Sequence, residues 1–223
     1  MHRRRITRLS TAAVALAGTA TLVACSNAEP TRDPVNTLTK PVTISVSANS
    51  LEEIVLGEIY QQVLQGQGRN ANIHVDTRQI KRDPIERLRS GAADMIIGCT
   101  GALLYTQNTD EAEAISEEYA QGAASPNAGD LSDRTYTELI GSLPGGLGAP
   151  NPSSAVGCEQ HDLPPIPQNI VPIYHRDLLV REEEQRINEV TRLLTTGDLE
   201  ALTEEAHEEE SVSTAVAEWL AKY

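Results

Sequence analysis

The sequence predicts an α/β protein with a mostly parallel sheet, and three observations support this. Residues 42–46 alternate apolar and polar side chains, as half-buried strands do. An amphipathic segment with helical spacing follows, and the order of strand and then helix repeats up to residue 99. Right-handed crossovers would make the strands of such a βαβαβ unit parallel, with ligand-facing loops at their carboxyl ends.

The N-terminus has the parts of a bacterial secretory signal. Arginines cluster within residues 1–8, and the apolar run 11–22 is too short to span a bilayer. The run ends in Leu22-Val23-Ala24-Cys25, which resembles a lipobox, whose cysteine is lipidated and becomes the new N-terminus. The alternative is an ordinary signal peptide with a chance cysteine. We interpret 1–24 as a lipoprotein signal peptide, Cys25 as the lipidation site and 25–40 as a polar tether.

These features predict an extracytoplasmic protein that is lipid-anchored to the bacterial cell membrane. The formal net charge of −14 disfavours nucleic acid as a partner, because phosphates would be repelled. No nucleophile elbow, P-loop or HExxH motif is present, so we expect neither an enzyme nor a cofactor. The chain has no Phe and one Trp, so few aromatic side chains are present to form the walls of a binding site.

The first elements are predicted from their spacing and caps. Val42, Ile44 and Val46 mark a strand, and a helix over 51–64 follows with Ser50 as its N-cap and Glu53 completing a capping box. Residues 73–75 indicate a second strand, 83–91 a short helix and 94–98 a third strand. The loops expected at the carboxyl ends are 47–50, 78–79 and 98–101.

The middle of the chain differs from both ends. Residues 105–168 are interrupted by glycine and proline, and only "RTYTELIGSL" is clearly periodic. From residue 169 a strand over 169–174 and helices over 182–194, 199–209 and 212–223 are expected, with Thr196 and Ser211 as caps of the last two. We therefore predict a main α/β lobe from 41–104 and 169–223, and a reduced second lobe or loop-rich insert over 105–168.

Several segments together resemble a known family. They are "VTISVSANSLEEIVLGEIYQQVLQGQG", "RLRSGAADMIIGCTGALL", "NIVPIYHRDLL", "LLTTGDLEALTEEA" and "SVSTAVAEWLAKY". Their succession is similar to the beginning and end of the substrate-binding proteins of glycine betaine, choline and related quaternary-amine ABC transporters. The resemblance implies a periplasmic-binding-protein-like (type II) fold, here with a shortened second lobe, and an ABC permease as partner.

The expected ligand groups lie in two of the predicted loops. They are Ser47, Asn49, Ser50, Cys99, Thr100 and Gly101. The family usually has Glu-Tyr where this chain has Gly98-Cys99, and quaternary ammonium groups are recognised by aromatic faces. The expected ligand is therefore a small polar solute or a quaternary amine.

Two cysteines remain once Cys25 is assigned to the lipid. An even pair in an oxidising compartment predicts a disulfide between Cys99 and Cys158, and free thiols are the alternative. His161 lies near Cys158, but no CxxC or HxxxH spacing supports a metal site, so none is expected.

Two function classes remain open. One is a solute-binding lipoprotein that supplies an importer. The other is a degenerate binding-protein scaffold that acts as a non-transport accessory or interaction lipoprotein, with another membrane protein of the cell envelope as its partner.

Overall fold

A five-stranded sheet organises the part of the chain that the computed structural model describes, residues 40–77, 83–122, 128–158, 163–208 and 211–223. The strands are β1 (Val42–Ser47), β2 (Ala71–Asp76), β3 (Met95–Cys99), β4 (Leu147–Gly148) and β5 (Ile170–His175), in the spatial order β2-β1-β3-β5-β4. Strand β1 pairs in parallel with β2 and β3, whereas β5 is antiparallel to β3 and to β4. Only β5 is therefore reversed, and the predicted α/β fold with a mostly parallel sheet is confirmed.

Helices cover both faces of this sheet. They are α1 (Leu51–Gly66), α2 (Pro84–Arg89), α3 (Thr100–Gln107), α4 (Thr109–Gly122), α5 (Ala128–Ser142), α6 (Arg181–Leu193), α7 (Thr196–Glu208) and α8 (Val212–Leu220). Helices α1, α6, α7 and α8 share one apolar core with the sheet, and α2 to α5 share a second. Side chains of β5 alternate between these cores, since Ile170 and Tyr174 belong to the first and Val171 and Ile173 to the second.

The start of α1 follows the predicted cap with one change. The hydroxyl of Ser50 accepts the N–H of Glu53 at 3.1 Å, which confirms the N-cap. The capping box is wrong, because the Glu53 carboxylate accepts the N–H of Ser47 at 2.7 Å and not that of Ser50. Glu53 thereby links α1 to the last residue of β1.

The caps of the last two helices differ in their outcome. Ser211 accepts the N–H of Thr214 at 3.4 Å, so the predicted cap of α8 is confirmed. Thr196 is not the cap of α7, because the hydroxyl of Thr195 accepts the first-turn N–H of Asp198 at 3.2 Å. The Thr196 hydroxyl instead accepts an N–H from residue 156, in another part of the chain, at 3.0 Å.

The middle segment holds more regular structure than expected. A loop-rich insert is wrong for 109–122 and 128–142, because both segments are helical. Ala112 and Ile115 of α4 are completely buried, yet most of that helix is polar, so its apolar stripe is narrow. Strand β4 joins the main sheet. The division of the chain into a main lobe and a second part stays a prediction.

Several predictions concern residues outside the described part of the chain. They are the signal peptide 1–24, the lipidation site Cys25, most of the tether 25–40, the loop 78–79 and His161. Among the helices that the structure describes, none combines the length and the apolar character needed to cross a bilayer.

Candidate functional site

The candidate site is the sheet edge at which β1 and β3 end. Ser47 ends β1 and Cys99 ends β3, so both strands end on the same side of the sheet. A short loop leads from β1 into α1, whereas α3 begins directly after β3 at Thr100, so the predicted loop 98–101 is wrong from residue 100 onward. Because β5 is antiparallel to β3, it begins at this edge, where Ile170 is paired with Cys99. The chain that leads into β5 must therefore lie over the edge at which α/β folds usually bind ligands.

That leading chain forms a lid, which we call the cap segment and define as residues 153–158 and 163–169. The N–H of Thr100 donates to the carbonyl of Asn169 at 2.9 Å, and the hydroxyl of Thr100 donates to the carbonyl of Pro167 at 3.2 Å. The N–H of Ala102 donates to the Gln168 side-chain oxygen at 3.0 Å. Donors at the start of α3 that a ligand would otherwise meet are thus occupied by the protein itself.

Gly101 allows the cap segment to approach this closely. A Cβ at position 101 would lie 2.4 Å from Cγ2 of Ile166 and 2.6 Å from the carbonyl oxygen of Pro167. Both distances are shorter than real contacts, so any side chain would push the cap segment outward. Glycine is required here by packing.

A disulfide between Cys99 and Cys158 fixes the cap segment to β3, as the sequence predicts. The two Cα atoms are 6.0 Å apart. Cys99 is completely buried, whereas Cys158 is half-buried and has a φ of 54°, a left-handed conformation that is uncommon for a residue with a side chain.

Glu52, in the first turn of α1, holds the cap segment from the other side. Its carboxylate accepts the N–H of Cys158 at 3.0 Å and lies within 4.8 Å of both sulfur atoms. Two cysteines and a carboxylate at such distances resemble a metal site. The sulfurs are joined, however, and metals bind thiolates, so this trio is not a metal site in the oxidised protein.

The six predicted ligand groups fall into two sets. Cys99, Thr100 and Gly101 are buried beneath the cap segment and contact the chain itself. Ser47 ends β1, and Asn49 and Ser50 lie between it and α1; Asn49 is exposed and the two serines are half-buried. Their role in ligand binding stays a prediction, and in the described structure only the second set is open to solvent.

Two carboxylates, those of Glu52 and Glu53, lie at this edge in the first turn of α1. Burial raises the pKa of Glu53, and this effect outweighs the hydrogen bond from Ser47 and the charge of Arg87, which lower it.

An open groove of about 600 Å³ lies beside the edge, between the start of α1, the cap segment and α7. Its lining includes Glu52, Val156, Leu199, Glu200, Glu204 and His207.

The aromatic side chains pack in or against the two cores, away from the groove. Tyr60, Tyr174 and Trp219 are buried in the first core, and Tyr105, Tyr119 and Tyr136 pack against the second. Tyr223 makes an edge contact with Trp219 at a centroid distance of 5.4 Å. These seven rings are all that the chain possesses, so none is left for the groove.

Sequence reasoning missed the residues that close the edge. Gln168 and Asn169 contact Thr100 and Ala102 from more than sixty positions away in the chain. Nothing in their immediate sequence distinguishes them from other polar residues before a strand. Glu52 follows a predicted N-cap, and a carboxylate there is ordinarily explained by the helix dipole.

Comparison with known proteins places the fold. No family model and no curated protein matches the chain. A solved structure of apo YehZ from Escherichia coli is similar over 82% of this chain and 99% of that chain, with 14% identity and a TM-score of 0.60. The chain shares its α/β fold with that structure.

Two further structures are TRAP periplasmic solute-binding proteins. The protein from Ochrobactrum anthropi has 12% identity over 82% of this chain and 81% of that one, with a TM-score of 0.41. The protein from Fusobacterium nucleatum, with bound sn-glycerol-3-phosphate, has 10% identity over 83% of this chain and 92% of that one, with a TM-score of 0.42.

Proposed function

We propose that this protein is an extracytoplasmic, membrane-anchored lipoprotein that binds a small polar solute at the carboxyl edge of its sheet. The observation that supports this most is the α/β fold, with two helix N-termini and an open groove at that edge. At the described edge the two cysteines are joined in a disulfide and the Ser50 hydroxyl caps α1, so none of the three is free to act as a nucleophile. What the edge offers a ligand is hydrogen bonds and charge. We therefore propose binding without catalysis and without a cofactor.

The resemblance to quaternary-amine transporters suggests a cationic solute, and the groove carboxylates suit a positive charge. A methylated ammonium group has no N–H to donate, so its recognition depends on aromatic faces that the described groove does not have. Loss of three such faces, at about 1 kcal/mol each, weakens binding roughly a hundredfold.

We predict that the mature, oxidised protein binds glycine betaine and choline with a Kd above roughly 100 μM. Titration calorimetry measures this directly, and thermal-shift screening with betaine, choline, carnitine and proline betaine extends it to related solutes. Micromolar affinity for any of them would contradict the prediction and favour an importer of that solute, with an ABC permease as partner.

A separate prediction concerns the anchor. In cells fed a labelled fatty acid, wild-type protein should carry the label and Cys25→Ser should not, because the thiol of Cys25 is the proposed acylation site. Cys158→Ser is the matched control, since it removes a cysteine that lies in the folded domain. Equal labelling of wild type and Cys25→Ser would rule out the lipoprotein assignment.

The cap segment favours a second candidate function. Since it occupies donors at the start of α3, the lobe is closed at the position where a ligand is expected, as in a scaffold reused for contact with another envelope protein. This candidate predicts no solute binding in either the oxidised or the reduced protein. Permease and ATPase genes next to the gene for this chain would argue against it.

A further inference from the structure

We propose that Cys158 is a site of thiol–disulfide exchange, through which a dithiol reductant releases the cap segment from the carboxyl edge. The proposal depends on the proposed function only for what the opened edge then binds. Its basis is the unequal surroundings of the two sulfur atoms.

Access distinguishes the two cysteines. Cys99 is completely buried at the end of β3, so an external thiolate cannot reach its sulfur in the folded protein. Cys158 is half-buried, and two residues beside it, Glu52 and Gly157, line the open groove of about 600 Å³. In this proposal the dithiol approaches Cys158 from the side of the groove.

The position of Cys99 also suits it as the leaving group. Cys99 is the N-cap residue of α3 and makes no side-chain capping hydrogen bond while it is oxidised. A thiolate released there lies at the N-terminal end of a helix, whose dipole favours a negative charge. Exchange should therefore begin at Cys158 and expel Cys99.

The backbone of Cys158 favours release of the cap segment. Its left-handed φ of 54° is unfavourable for a residue with a Cβ, and the disulfide and the bond from Cys158 N–H to Glu52 hold it in place. Once the disulfide is cut, the residue can return to an ordinary conformation. Neighbouring Gly157 donates its N–H to the carbonyl of Gln168 at 3.2 Å, so displacement of 157–158 also disturbs the residue that covers Ala102.

The exchange balances as follows. A thiolate of the dithiol attacks Sγ of Cys158, the bond between the two protein sulfurs breaks, and Cys99 leaves as a thiolate that takes a proton from water. The second thiolate of the dithiol then attacks the reagent sulfur of the mixed disulfide. Cys158 leaves and is protonated, and the dithiol is oxidised to its cyclic or intramolecular disulfide.

The site of attack is tested by trapping. Folded mature protein is treated briefly with the monothiol 2-mercaptoethanol, alkylated with iodoacetamide and mapped by mass spectrometry. We expect the mixed disulfide on Cys158 and the alkyl group on Cys99. The reverse assignment, or an equal mixture, would overturn the proposal.

Opening of the edge is tested by hydrogen exchange. After reduction with dithiothreitol the amides of Thr100 and Ala102 should exchange about tenfold faster, because the cap segment no longer holds them, and reoxidation should restore protection. Amides of α6 serve as the internal control, since both cysteines lie outside that helix. Full reduction with unchanged exchange at Thr100 and Ala102 would overturn the release of the cap segment.

The charge of Glu52 provides an isosteric probe. Glu52→Gln keeps an oxygen that accepts the Cys158 N–H, but it removes a negative charge that opposes thiolate formation at both sulfurs. We expect dithiothreitol to reduce this variant several-fold faster than wild type or Glu200→Gln, a control in the same groove. Equal rates would contradict this role of Glu52. Absence of solute binding in both redox states would contradict the proposed function while leaving these results unaffected.

Discussion

Replacement of both Cys99 and Cys158 by alanine is expected to lower the free energy of unfolding by about 4 kcal/mol. The bond closes a loop of 59 residues, and an open chain of that length gains entropy in the unfolded state. In a domain of this size the loss corresponds to a fall in Tm of roughly 8–16 °C. Urea unfolding and calorimetry of the mature protein measure both quantities.

The control for this experiment is wild-type protein unfolded in dithiothreitol, which should be close in stability to the double variant. A single Cys158→Ser variant should also be destabilised, since it leaves the buried Cys99 thiol without its partner. Equal stability of the oxidised wild type and the double variant would show that the disulfide does not restrain the cap segment.

Gly101→Ala is expected to lower the free energy of unfolding by about 1–3 kcal/mol, the usual cost of overpacking. The new methyl group would meet Cγ2 of Ile166 and the backbone oxygen of Pro167 at impossible distances, so the cap segment must move. Its hydrogen bonds to Thr100 and Ala102 would then lengthen. The measurement is urea unfolding of the oxidised variant.

Gly141→Ala is the matched control, because a Cβ at that position in α5 meets nothing within 4 Å. It should be neutral or more stable by up to about 1 kcal/mol, as expected from helix propensity. If Gly101→Ala had the same free energy of unfolding as Gly141→Ala, the close packing of the cap segment against α3 would contribute nothing to stability.

Local features of the fold were predictable where one short pattern carries the information. The alternation at Val42, Ile44 and Val46 predicts β1, and the hydroxyl of Ser50 predicts the start of α1. Helix α4 was missed because its buried residues Ala112 and Ile115 form a narrow stripe in a polar segment. Such a stripe becomes recognisable only when a second core is present to receive it.

The candidate site was predictable only in part. Cys99 and Cys158 were paired correctly from cysteine number and compartment, an argument that needs no coordinates. Thr100 and Gly101 were correctly placed at the carboxyl end of β3, but the sequence could not indicate that Gln168 covers them. That contact depends on the direction of β5, which no local pattern encodes.

The sequence by itself determined the α/β class, the succession of the first three strands along the chain, the disulfide and the scarcity of aromatic rings. Each of these depends on composition or on spacing within a short window. Only the tertiary structure decided that β5 is antiparallel and that the chain leading into it closes the carboxyl edge. Strand direction is set by pairing with β3 and β4 and by burial of both faces of β5, interactions between residues distant in sequence. The same long-range pairing turns predicted ligand donors into partners of the protein's own backbone.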